Sequence, residues 1–124
     1  QVALAGGRFT AAMFHLPAMA DVGGSLIGRH PPPLHLPEMD RHLRTLSYYD
    51  AANFARRIQC PVMVTVGFID NSCYPSSVYA AYNVLPCEKY ILNCAESGHG
   101  GMFSYKKHHA VMWAWMRTRM NRDF

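Results

Sequence analysis

The sequence predicts an α/β domain built on a parallel sheet, and three observations lead there. The run from Met63 to Gly67 is apolar and rich in β-branched residues, as suits a central strand covered on both faces. Segments of strand character alternate with segments of helical spacing along the chain, the order that produces parallel strands joined by right-handed crossovers. With 124 residues, 50% of them apolar and 16% charged, the composition is that of one folded, core-forming domain.

Taken in order, Gln1 to Ala5 has good helix formers and stops at Gly6-Gly7, which reads as the tail of a helix ended by glycine. Phe9 to Leu16 is apolar up to Pro17 and reads as a buried strand. Gly23 to Pro37 is loop-like, stiffened by Pro31-Pro32-Pro33. From Tyr48 to Ile58 the spacing is helical, with Asp50, Asn53, Arg56 and Arg57 on one side and Ala51, Phe54, Ala55 and Ile58 on the other. Cys60-Pro61 opens the central strand. Pro75 then sits near the start of a helix whose apolar stripe is Val78, Ala81, Tyr82 and Leu85. Glu88 to Cys94 reads as a strand nearer an edge, and the last helix, from Met102 to Asn121, carries Met112, Trp115, Met116 and Met120 on one stripe. Three strands make a thin sheet with an apolar edge, so more sheet is expected before Gln1, in the same polypeptide or in a companion chain.

The bulk properties exclude several classes of function. A net charge of +4 with scattered Lys and Arg argues against nucleic-acid binding. No stretch of about 18 apolar residues offers a membrane span. Cys60, Cys73, Cys87 and Cys94 form no C-x-x-C pair and read as free, buried thiols. No histidine pair at helical i, i+4 spacing suggests a metal, so neither metal nor cofactor is expected. His30, His35 and His42 read as solvated or loop-packing residues, and His108 and His109 are neighbours that cannot both face one ion, whereas His15 fits the core or a place behind a site.

The chemistry gathers at two positions. Asp70 follows the central strand directly, at the C-terminal end of a parallel sheet, where open α/β folds collect their catalytic groups; a turn aspartate is the alternative, since Asp70-Asn71-Ser72 is good turn chemistry. His99 lies between Gly98 and Gly100-Gly101 just past the next strand, where glycines free the backbone to bring the imidazole to the sheet edge. Strand-Asp, helix, strand-His is the order in which the acid and base of a Ser-His-Asp hydrolase close an α/β-hydrolase domain. An imidazole base needs a buried carboxylate on its other nitrogen to hold the tautomer and stabilise the imidazolium. No nucleophile is expected among these residues. Ser25, in Gly23-Gly24-Ser25-Leu26-Ile27-Gly28, misses the G-x-S-x-G elbow by one position and has no strand-to-helix setting, and Cys73 reads as packing.

Four blocks of text extend this pattern: Asp50 to Ile58 as D-x-x-N-F-A-x-R-I, Val66 to Asp70 as V-G-x-x-D, Cys73 to Asn83 with A-A-Y-N at its end, and Gly98-His99. Here the chain resembles the C-terminal part of the acetyl xylan esterase and cephalosporin C deacetylase family. The likeness is best over residues 47–100, and Phe9 to Asp21 is similar to the strand and turn that precede them. Tyr74 departs from a C-P-P pattern, Gly100 stands where a glutamate often follows the histidine, and the link from Gly7 to Phe9 is shorter. The resemblance implies the C-terminal portion of a three-layer α/β-hydrolase sandwich over residues 1–124, with Asp70 as acid and His99 as base. It implies a serine esterase releasing acetate from acetylated xylo-oligosaccharides or related small acetyl esters. The serine and oxyanion donors are expected upstream of Gln1, so the chain alone is expected to be inactive. The resemblance also implies a homo-oligomer in the cytoplasm. A truncated or degenerate hydrolase half acting as a structural or interaction module is the alternative from another class, and a small metal-binding protein is a third.

Overall fold

The computed structural model of the chain describes residues 1–31, 39–100 and 106–120. Three strands, β1 (Ala12–His15), β2 (Val62–Gly67) and β3 (Lys89–Cys94), form one sheet in that order, all parallel. In register, Ala12 faces Val62 and Val62 faces Lys89. Every residue of β2 is buried, as its apolar run predicts for a middle strand. β3 is only partly covered.

Alternation along β2 gives the sheet two faces. Val62, Val64 and Val66 join Ala55, Ile58 and Val78 in the main core, under α2 (Ala51–Ala55) and α3 (Pro75–Asn83). Met63 and Thr65 point to the other face and are fully buried there. His15, level with Thr65, lies close enough to His109 of α4 (Lys106–Met120) for their charges to repel. The ion pair of Arg119 with Glu88 ties the end of α4 to the start of β3. Helices combined with a parallel three-stranded sheet are the mixed α/β architecture that the alternation of elements predicts.

Several boundaries differ from the sequence reading. The first strand is shorter than Phe9 to Leu16. The opening residues make a helix-like turn, Ala5 donating to the Gln1 carbonyl, and Gly6 and Gly7 follow at φ 58° and 83°. A 3-10 turn, η1 (Val22–Ile27), and a helix, α1 (Met39–Ser47), occupy a stretch for which the sequence reading gives no element. The helix expected from Tyr48 to Ile58 starts at Ala51 because Asp50 caps it: its carboxylate accepts from the Ala52 N–H at 2.8 Å. Asp50 does not face solvent. It is buried and also accepts from the N–H groups of Asp21 and Val22, at 3.0 and 2.8 Å, so one side chain holds the turn after β1 against α2. The expected final helix is seen as α4, and 102–105 and 121 lie outside the described residues. Among the described residues β1 pairs only with β2.

Candidate active site

The loops that leave β2 and β3 are zipped together by their backbones. Phe68 N–H donates to the Cys94 carbonyl at 3.1 Å and Ile69 N–H to the Ser97 carbonyl at 3.3 Å, while Asp70 N–H turns back to Gly67 at 3.3 Å. Gly67 permits the approach: a Cβ there would collide with the Ser97 carbonyl. Because the strands are parallel neighbours, both loops emerge at the same sheet end, and the zip sets Asp70 beside His99.

The Asp70 side chain is 0% exposed and fully used. Oδ1 accepts from the N–H groups of Ser72 and Cys73, at 2.8 and 2.9 Å, and Oδ2 accepts from Nδ1 of His99 at 3.1 Å. The turn chemistry and the partnership with His99 therefore coexist, one on each oxygen. A carboxylate that can only accept fixes the proton of neutral His99 on Nδ1 and leaves the lone pair on Nε2. The His99 side chain is 54% exposed, and among the described residues its one hydrogen bond is to Asp70. A general base needs this arrangement, a ring held from behind with its basic nitrogen open.

The glycines around His99 act differently from the sequence reading. Gly98 and Gly100 do not take left-handed φ values, and a Cβ on either would meet no close contact. The steric demand falls on Gly67, one strand away, within the V-G-x-x-D text. Tyr74 sits before Pro75 at φ −54° and ψ 138°, an extended geometry that a proline at this position could also adopt. Its ring stacks on His30 at 5.8 Å. His30 is thus buried loop packing, His42 is exposed, and His35 lies outside the described residues.

Of the two alternative nucleophiles, Cys73 comes near the base and Ser25 does not. Ser25 lies on η1 and donates to the Val22 carbonyl at 3.0 Å. Cys73 lies close to Asp70 and His99, but burial, and secondarily the Asp70 charge, push its thiol above the usual 9.0 and keep it protonated. His15, half-buried on β1, bonds Oγ1 of Thr65 through Nδ1 at 2.9 Å. Burial and repulsion from His109 and His99 hold it below the usual 6.5. An apolar cavity of about 470 Å³, lined by Phe14, Phe54, Ile58, Val64 and Leu85, lies on the α2 and α3 face and contains neither Asp70 nor His99.

The parallel sheet with its crossover helices is the fold of an α/β-hydrolase. The family model described as acetyl xylan esterase (AXE1) matches residues 34–117, and the chain belongs to that family. It is 39% identical over 87 residues to acetyl esterase Axe7A of Xylanibacter ruminicola, a match covering 66% of this chain and 20% of that protein. Among solved structures it is similar to the acetyl xylan esterase from Paenibacillus sp. R4, with a TM-score of 0.72, 25% identity, and coverage of 90% of this chain and 38% of that one. It shares the fold of acetyl xylan esterase 1 from Thermoanaerobacterium sp. JW/SL YS485, with a TM-score of 0.70, 24% identity, and coverage of 88% and 38%. The chain spans about a fifth of the curated relative and under two fifths of the solved esterases.

Proposed function

We propose that this chain contributes the acid and base of a carboxylic-ester hydrolase acting on small acetyl esters, acetylated xylo-oligosaccharides among them. The hydrogen bond from His99 Nδ1 to the buried Asp70 carboxylate carries this reading. In the reaction, Nε2 of His99 takes the proton of a serine hydroxyl as the oxygen attacks the acyl carbonyl. His99 then returns that proton to the leaving alcohol, and Asp70 stabilises the imidazolium in between. This reading takes the serine from polypeptide other than the described residues; Ser25 is turned to its own helix and the Ser97 hydroxyl is buried. The names and family of its relatives support acetyl esters as the substrate class.

The test is hydrolysis of 4-nitrophenyl acetate by protein that carries this chain together with its nucleophile. His99→Ala is expected to lower kcat by about a thousandfold or more, and Asp70→Asn by a similar order, because triad members act as a unit. The 124-residue chain by itself should show no hydrolysis above background and no labelling by a serine-directed fluorophosphonate. Labelling at Ser25, or turnover that survives His99→Ala, contradicts the reading.

The β1 edge supports a second reading, in which the chain acts as an interaction module that adds its sheet to another. In that case a partner strand protects the β1 amides from hydrogen exchange, and ester hydrolysis stays absent in every assembly.

A further inference from the structure

We propose that Asp70, Cys73 and His99 form a binding site for a thiophilic divalent cation of the zinc class. One oxygen, one sulfur and one nitrogen donor, one from each residue, lie within 4.8 Å of one another. A tetrahedral zinc ion with bonds of about 2.0–2.3 Å sets its donors about 3.3–3.8 Å apart. Binding requires the Cys73 sulfur to close to that spacing, whereas Asp70 Oδ2 and His99 Nδ1 already stand 3.1 Å apart.

Two of the three donors are preset by the fold. The N–H groups of Ser72 and Cys73 hold Asp70 Oδ1, which keeps Oδ2 aimed at the cluster, as a supporting hydrogen bond does for a metal-bound carboxylate. The same Cys73 N–H bond pins the cysteine backbone against the carboxylate. His99 is the half-exposed member, so an ion has a path in and a water can complete its coordination. Mixed thiolate, imidazole and carboxylate donors favour zinc, and disfavour magnesium or calcium, which take all-oxygen sites. The cluster escapes sequence inspection because Asp70 and His99 are 29 residues apart and meet only through the zipped loops.

On binding, the Cys73 thiol releases its proton to solvent and the ring proton of His99 moves through solvent from Nδ1 to Nε2. The ion then bonds sulfur, oxygen and Nδ1, replacing the hydrogen bond between Asp70 and His99. With Nε2 protonated the imidazole accepts no proton from a nucleophile, so the cation turns the acid–base pair off. That consequence rests on the esterase reading, whereas the cation site does not.

Cobalt(II), a spectroscopic stand-in for zinc, tests the site on the 124-residue chain without any reading of hydrolysis. The chain is expected to bind one equivalent with the intense visible bands of four-coordinate cobalt and a near-ultraviolet sulfur-to-cobalt charge-transfer band, both lost when zinc is added. Cys73→Ser is expected to remove the charge-transfer band, and His99→Ala, at a half-exposed position that leaves the core intact, to weaken binding about tenfold or more. Cys87→Ser should change neither. Absence of the thiolate band, its survival in Cys73→Ser, or an affinity unmoved by His99→Ala would overturn the proposal.

Discussion

Gly67 and Asp70 divide the labour of one turn. The first lets the β2 and β3 loops touch, and the second uses both carboxylate oxygens, one to shape the turn and one to orient His99. Gly67→Ala should therefore destabilise the chain by about 1–3 kcal/mol, because the new methyl group must push the Ser97 carbonyl away. A denaturant midpoint shift measures this, and an unchanged midpoint would show that the loops yield without strain. Asp70→Asn should act on the ring itself: an amide presenting its NH₂ to Nδ1 favours the other tautomer and closes Nε2 to proton transfer.

At the level of elements, α2 and the turn after β1 are joined by Asp50. Asp50→Ala removes the cap of α2 and strands the N–H groups of Asp21 and Val22, so a loss of about 2 kcal/mol or more is expected in urea unfolding. A loss of only a few tenths would mean that water replaces the carboxylate. By contrast, the pair of Arg119 with Glu88 is solvent-exposed, and Glu88→Gln should change stability by less than about 1 kcal/mol. The elements of the fold were legible in the sequence to different degrees. The strands and α3 could be read because apolar runs ended by Pro, Gly and Asp mark them, and Asp70 and His99 followed from their place after successive strands. The α1 helix was not read, although Met39, Leu43 and Leu46 stand at helical i, i+4, i+7 spacing, because that stripe is three residues long in an otherwise polar segment following a proline-rich stretch. Nor was the role of Asp50, since a polar residue beside a helical stripe looks solvent-facing until the turn it caps is folded over it.

For the whole molecule, titratable groups that are wholly or partly buried set a stability window. His15 binds protons less readily folded than unfolded, so its contribution is present above pH 6.5, the ordinary histidine value, and is lost as pH falls below it. Cys73, and Cys87 in the same sense, hold their protons more tightly when folded, so their contribution is present below pH 9.0 and is lost as pH rises beyond it. Thermal unfolding against pH should show a plateau between these limits; His15→Asn should flatten the acid side and Cys73→Ala part of the alkaline side. The parallel sheet, with Asp70 and His99 at one end of it, serves a single chemical purpose in this account: it holds an imidazole by Nδ1 and leaves Nε2 open. Nitrogen-15 NMR of the His99 ring in the folded chain reads that arrangement directly. With the ring neutral, the account predicts a protonated Nδ1 and an unprotonated Nε2, reversed by Asp70→Asn. An unprotonated Nδ1 in the unaltered chain would contradict it.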